Sequence, residues 1–317
     1  MASKNTNLRK AQKAKSDEFY TQLSDIENEM KYYKDFFKGK VVYCNCDDAR
    51  ESNFFKFFSK KFHDYGLKKL ITTGYKEDGK GVVLVYEGDK NGNNRVDDEE
   101  IITTELQGNG DFRSEECIEF LKEADVVVTN PPFSLFREYV AQLMEYGKKF
   151  LIIGSMNAIT YKECFSYIKK NELWLGMNWI KDFIQPNGEI KKFGNICWYT
   201  NIEHNRRNTP LDLYQRYSNE YYLKYDNFDA IEVSKVAEIP MDYEGVMGVP
   251  ITFLDKYCPT QFEIIGLAAD KRDKCELFIK GVPTYLDEKH KKFVGLVLNG
   301  KATYARIIIK KVFLSKL

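Results

Sequence analysis

The residues best suited to chemistry are Asn130, Pro131, Pro132 and Phe133, which follow the apolar run Val126–Thr129. Two prolines in succession offer no N–H to a strand ladder, so a buried strand must end there. They hold the chain extended and leave the carbonyls of Asn130 and Pro131 as acceptors, and the Asn130 amide oxygen adds another. Phe133 supplies a flat π face. Acceptors beside a stacking face suit a planar group bearing an NH2, such as the exocyclic amine of a base or a primary amide. That nitrogen is a poor nucleophile because its lone pair is delocalised. Acceptors that hold both N–H bonds localise the pair for attack on an electrophilic methyl group, an effect magnified in a water-excluded pocket. The competing reading is a plain strand stop. The apolar strand before the motif and the helical pattern after it favour the chemical reading, which by itself leaves adenine, cytosine and glutamine open.

Other candidates are weaker. In "DKNGNNRVDDEE", Asp89, Asn91, Asn93, Asp97 and Glu100 occupy positions one, three, five, nine and twelve of a calcium loop, with Val96 at the eighth. The sixth position is Asn94 where glycine is the rule, and the flanks read as strands, so the expectation is a solvated hairpin tip. Cys44 and Cys46 stand one residue apart with no second Cys/His pair nearby, which argues against zinc. No metal is expected. His63, His204 and His290 are the only histidines, and none accompanies a nucleophile elbow, which argues against hydrolase chemistry. The phenylalanines at 54–58 are too densely spaced for a stacking platform and read as core.

The elements that must position the motif follow from periodicity. Asp17–Phe37 and Ser52–Tyr65 have helical spacing. Lys40–Tyr43, Lys69–Thr73, Val126–Thr129 and Phe150–Gly154 read as strands, with a hairpin from Gly81–Tyr86 and Glu100–Leu106. Helices are expected at Ser114–Glu123, Leu135–Tyr146 and Tyr161–Lys169, and further strands at Leu173–Trp179 and Ile196–Asn201. Alternating strands and helices with wholly apolar strands predict an α/β fold, its mostly parallel sheet covered on both faces. After Arg206-Arg207 the alternation breaks down, which puts a boundary near residue 205. Residues 1–16 are expected to be a mobile basic tail.

The chain has 317 residues and 43% hydrophobic content, which fits a folded globular protein. It has no apolar run long enough to span a bilayer and no apolar leader, and its seven cysteines are an odd number without framework spacing. The expected setting is a reducing cytoplasm, without a membrane partner. Net charge is +1, but residues 1–16 carry +5, residues 271–317 carry +8 and the rest −12. Basic termini on an acidic body suit a polyanion held at defined places.

"TNPPF" resembles the (Asp/Asn/Ser)-Pro-Pro-(Tyr/Phe/Trp) motif of S-adenosylmethionine-dependent amino-methyltransferases. "DEFYTQ" (17–22), "VVYCNCDDARESNFFKFF" (41–58), "LQGNGDFRS" (106–114), "KKFGNICWYTN" (191–201), "MGVPITFLDKY" (247–257) and "ATYARIII" (302–309) extend the resemblance to the EcoRI-type adenine-specific DNA modification methylases. It covers the chain from Asp17 onward. It implies a class I methyltransferase fold, Rossmann-like, over 17–205, and a smaller mixed α/β target-recognition region over 206–317. The implied reaction moves a methyl group from S-adenosylmethionine to N6 of a flipped-out adenine in duplex DNA, leaving S-adenosylhomocysteine. Asn130, Pro131, Pro132 and Phe133 would hold the base, with Trp198 or Tyr199 as further stacking candidates. Tyr20 and Thr21 would close over the methionine end of the cofactor, while Cys44, Asn45, Asp47 and Asp48 stand where relatives carry a glycine-rich turn. Asp111 and Phe112 would meet the cofactor's adenine. No glycine lies between Gly39 and Gly66, so Asn45 or Asp47 is expected to take the tight conformation. The second strand lacks the usual ribose-binding acid; Thr72, Thr73, Tyr75 and Glu77 are the substitutes. Phosphate contacts are expected from Arg206, Arg207, Lys271, Arg272, Lys274, Lys291 and Lys292, with Lys289, Lys301, Arg306, Lys310 and Lys311 as further candidates. The protein is expected to act as a monomer on double-stranded DNA. A cognate restriction endonuclease, a phage or mobile-element role and an orphan role all fit. Methylation of a protein glutamine or an RNA adenine, or a non-catalytic DNA-binding relative, are the alternatives.

Overall fold

The structure is a computed structural model that describes residues 20–184, 190–269, 285–287 and 292–312. The chain divides into two compact units, one of residues 1–155 and 176–202, the other of 156–175 and 203–317.

The first unit is built on a nine-stranded sheet. Its strands are β1 (Tyr20–Thr21), β2 (Val41–Asp47), β3 (Lys69–Gly74), β4 (Val82–Tyr86), β5 (Ile101–Glu105), β6 (Val126–Thr129), β7 (Lys149–Ser155), β8 (Trp174–Ile184) and β9 (Ile190–Thr200). The order is β1-β8-β9-β7-β6-β2-β3-β4-β5. The four central strands are parallel, whereas β9 on β7 and the β3-β4-β5 meander are antiparallel. The central strands are the apolar runs of the sequence, as burial on both faces demands.

Alternation along these strands sorts the core. Val42, Cys44, Val126, Val128, Leu151 and Ile153 share one cluster with Ile26 and Met30 of α1 (Leu23–Met30) and Phe54 and Phe58 of α2 (Asn53–Lys60). On the opposite face, Tyr43 meets Phe120 of α3 (Glu115–Glu123) at 6.4 Å between rings, and Tyr199 meets Phe136 of α4 (Phe136–Glu145) at 5.0 Å. Helices therefore cover both faces. Ser52 caps α2 by accepting from Phe54 N (3.1 Å), and Ser114 caps α3 by accepting from Cys117 N (3.2 Å). Two helices are shorter than their periodicity predicts. The apolar positions after Met30 belong to turns and a 3-10 segment, Lys34–Phe37, and those after Lys60 belong to turns ending at Gly66 (φ +61°).

In the second unit, β10 (Ile231–Glu232), β11 (Met247–Pro250), β12 (Phe262–Ala268) and β17 (Arg306–Lys311) form a sheet of order β10-β11-β17-β12. Two short hairpins precede β17: β13 (Tyr285–Asp287) with β14 (Lys292–Val294), and β15 (Val297–Leu298) with β16 (Lys301–Ala302). Tyr225, Ala230, Ala268, Leu296 and Ile308 make a small core. The helix α5 (Lys162–Lys169) also belongs here, although its sequence precedes β8.

Candidate active site

The chain leaves β2 toward β3 on one side and returns to β6 and β7 on the other, so the neighbouring carboxyl ends of β2 and β6 form the topological switch point of the sheet. Ligands of open α/β sheets bind at such a crevice. Asn130–Phe133 begins where β6 ends. Pro131 is buried, while Asn130, Pro132 and Phe133 are half-buried. Leu135 N donates to Pro132 O (3.0 Å), which turns the chain into α4.

Beside it, the end of β2 carries an irregularity between Cys44 and Asp47, and Cys46 has φ +68°. The left-handed residue is therefore Cys46, and the expectation of Asn45 or Asp47 is corrected. The side chains of both neighbours are tied down by hydrogen bonds. Tyr139 donates its hydroxyl to the Asn45 side-chain oxygen, and Thr129 donates to the Asn45 carbonyl. Asp47 accepts from Asp48 N (2.9 Å) and the Ser52 hydroxyl (2.8 Å). Asp48 accepts from Arg50 N (2.9 Å) and Glu51 N (2.7 Å), an Asx turn that leads into α2. Cys44 points into the core, where burial pushes its thiol pKa up.

The other residues expected around the cofactor converge on this turn. Thr21 pairs with Phe183 in the β1–β8 ladder, and its carbonyl accepts from Asn53 Nδ2 (2.8 Å) at the start of α2. The Thr21 hydroxyl is buried and has no hydrogen-bond partner among the described residues. Tyr20 contributes backbone to the same strand. The Phe112 ring packs edge-on against Tyr139 at 4.9 Å, and its carbonyl accepts from Gln142 (3.2 Å). Asp111 is clamped by Arg113, whose guanidinium holds the carboxyl below its ordinary range and also reaches Glu138 (3.1 Å). Gly110 (φ +82°) lets this loop lie against the end of β3; a Cβ there would stand 2.3 Å from Gly74 O. Of the ribose candidates, Thr72 donates to Ala49 O (3.1 Å) and Thr73 bonds the Tyr43 hydroxyl (2.8 Å), both buried, whereas Tyr75 and Glu77 are exposed past the strand.

Phe133 stands edge-on to Phe183 of β8 (6.5 Å, 88°), which stands edge-on to half-buried Phe193 of β9 (5.5 Å, 88°). Sequence reasoning missed this row of rings, although Phe193 lies inside the "KKFGN" stretch. It offered Trp198 and Tyr199 instead, and this is corrected. Each is 0% exposed, Trp198 against Phe54 and Tyr199 donating to Ser155 O (2.8 Å), so neither has a face for a ligand.

The second unit treats the basic candidates differently from expectation. Arg206 pairs with Asp255 (2.7 Å). Arg207 lies 3.8 Å over the Trp174 ring and pairs with Glu203 (3.1 Å). Arg306 forks onto Glu232 (2.6 and 3.0 Å) in a buried pair. These guanidiniums have internal carboxylate partners, which the linear sequence does not reveal. Lys301 and Lys310 are exposed. Lys271, Arg272, Lys274, Lys289 and Lys291 lie outside the described residues, as does the 1–16 tail, and Lys292 is described only as backbone of β14. Among the described residues the cysteines are free thiols, no group of three or more His, Cys, Asp or Glu side chains is gathered for a metal, and no helix is long and apolar enough to cross a membrane.

Comparison with known proteins gives the family. A family model described as "Adenine-specific methyltransferase EcoRI" matches residues 7–188 and 178–312. The type II methyltransferase M.EcoRI of Escherichia coli is 47% identical over 346 aligned positions that span 100% of both chains. Type II methyltransferase M.MpnI of Mycoplasma pneumoniae is 39% identical, covering 95% of this chain and 97% of its own. M.MgeORF184P of Mycoplasma genitalium is 37% identical, covering 96% and 98%. No solved structure matches. With a glycine-free turn at one strand end and Asn-Pro-Pro-Phe at the next, the chain belongs to the EcoRI-type adenine-specific methyltransferase family.

Proposed function

We propose that this protein is a site-specific DNA methyltransferase with a class I fold, which methylates N6 of adenine using S-adenosylmethionine. The observation that carries the reading is the placement of Asn130–Phe133 at the sheet's switch point, beside the left-handed turn at Cys46. S-adenosylmethionine, when bound, supplies an electrophilic methyl group. The residues fit it: the buried Thr21 hydroxyl, unpartnered among the described residues, is a polar group that a ligand would satisfy, and Cys46 takes the left-handed turn without glycine. Cys44–Asp48, Thr21 and Tyr20 hold the cofactor, with Asp111 and Phe112 at its adenine and Tyr75 or Glu77 at its ribose. Asp111 and Asn45 act chiefly by shaping the walls, since their side chains are bonded to Arg113 and Tyr139.

The Asn130 amide oxygen and the Asn130 and Pro131 carbonyls accept the N–H bonds of the target amine and localise its lone pair. Phe133, braced edge-on by Phe183, stacks on the base. A base inside a duplex cannot reach this crevice, so the adenine is flipped out of the stack. Residues 206–317 form the target-recognition region on double-stranded DNA, with phosphates met by Lys271, Arg272, Lys274, Lys291 and Lys292. Arg206 and Arg207 shape that region from within, through their internal partners. The protein works as a monomer in restriction-modification, opposite a cognate endonuclease.

The test is methyl transfer from labelled S-adenosylmethionine, with duplex DNA, RNA and protein in competition. Label is expected on adenine N6 of duplex DNA, and Asn130→Ala should lower the rate about 10²–10³-fold, as for removal of one oxyanion-hole donor. No label with wild type, or an undiminished rate in Asn130→Ala, defeats the proposal.

A further inference from the structure

The segment 89–100 joins β4 to β5 at the edge of the first unit's sheet, and the methyl-transfer chemistry makes no use of it. The expectation of a merely solvated tip is revised by two observations. The first is how the chain is wound. Asp89 accepts from the N–H groups of Gly92 (2.6 Å), Asn93 (3.2 Å) and Asn94 (2.6 Å). Asn91 Oδ1 accepts from Asn93 N (3.0 Å), and Asn93 Oδ1 from Arg95 N (2.8 Å). Asn94, which stands where a calcium loop carries glycine, has φ +60°. The sixth position thus takes the conformation that glycine provides, and Asn is among the residues that reach it most cheaply.

The second observation concerns Glu100, at the twelfth position. Its residue is only 9% exposed. Oε1 accepts from Lys90 N (2.6 Å) and Asn91 N (3.2 Å), which aims the carboxylate into the start of the loop. Oε2 is buried and has no partner among the described residues. An unsatisfied buried carboxylate oxygen is costly, and a cation is what removes the cost. No lysine or arginine supplies one: among the described residues Asp89, Asp97 and Glu100 make no ion pair, while nearby Lys90 pairs with Glu87 and Arg50 with Asp98.

We propose that residues 89–100 bind one calcium ion through the Asp89 and Glu100 carboxylates, the Asn91 and Asn93 amide oxygens and the Arg95 carbonyl, with Asp97 acting through water. Only two of these direct ligands are acidic, which is consistent with the absence of a three-acid cluster among the described residues. All-oxygen ligands on an irregular loop suit calcium, whereas magnesium demands a tighter octahedron and keeps its water. The ion would staple the β4–β5 edge hairpin as a structural element. Asn91 and Asn93 are already held by Asp97 (2.8 and 2.6 Å to their amide nitrogens), so little ordering remains to be done on binding.

The full-length protein is titrated with calcium by calorimetry and melted in calcium, magnesium or chelator. Calcium at about 10 mM, roughly ten times the weakest dissociation constants of such loops, is expected to show one site and to raise Tm by about 3–6 °C over chelator. Magnesium should give much less. Glu100→Gln should abolish the calcium shift; should that variant misfold, Asn93→Ala at the exposed tip removes a ligand with no core change and should reduce it sharply. No heat and no shift in wild type, an equal shift with magnesium, a shift that persists in a folded Glu100→Gln, or one undiminished in Asn93→Ala overturns the site.

Discussion

Replacing Tyr139 by Phe isolates the bond that braces the glycine-free turn at the end of β2. Tyr139 is 0% exposed and Asn45 4% exposed, and the hydroxyl donates to the Asn45 side-chain oxygen. The ring's edge-on packing against Phe112 survives the substitution, so the change is confined to one oxygen. Its loss leaves the Asn45 oxygen buried without that donor, which costs about 1–3 kcal/mol. For a chain of this size the expected fall in Tm is about 2–4 °C per kcal/mol. The clamp joins the Cys46 turn to α4, and Thr129 ties the same turn to β6 just before Asn130. Affinity for S-adenosylhomocysteine, measured by calorimetry, should therefore fall by at least about 5-fold, the equivalent of the lower end of that cost, given that 1.4 kcal/mol is tenfold. A double-mutant cycle with Asn45→Val separates the bond from each residue's own contribution, and the double variant should lose less than the two singles summed. Tyr139→Phe matching wild type in both melting and affinity, or strict additivity in the cycle, would refute the reasoning.

In the second unit, Arg306→Met should destabilise by about 3–5 kcal/mol, because it strands Glu232 as a buried charge; urea denaturation checks this, and recovery in Arg306→Met/Glu232→Leu is expected. Glu29 is 0% exposed, and burial raises its carboxyl above the ordinary 4.5 despite hydrogen bonds from Met177 N (2.7 Å), Asn178 and Tyr33. The unfolded chain releases this proton first, so the contribution of neutral Glu29 is complete below about pH 4.5 and declines as pH rises through the higher folded value. Denaturation of wild type against Glu29→Gln should show wild type losing relative stability across that window; parallel curves would contradict it.

Much of the fold is legible locally. Val126–Thr129 and Phe150–Gly154 announce themselves as two-sided strands by continuous apolarity, and the hairpin around residues 89–100 by two alternating runs that flank a polar tip. Helix lengths were less legible, since Tyr33, Phe37, Phe62 and Tyr65 bury themselves from turns as readily as from a helix.

What the sequence determined alone is the set of groups that Asn130–Phe133 presents: two prolines, an amide and a ring carry their acceptors and flat face in their covalent structure, wherever the strand ends. Its neighbours were decided by tertiary structure. Phe183 meets Phe133 from 50 positions further along and is itself met by Phe193, Cys46 takes the left-handed turn beside an Asn45 held by Tyr139, and Trp198 disappears under Phe54. Arg206, Arg207 and Arg306 read as free cations until Asp255, Glu203, Trp174 and Glu232 are brought to them. Periodicity reports which residues are apolar and how they are spaced. Pairing depends on contacts between positions far apart in the chain, and those exist only once the sheet has assembled.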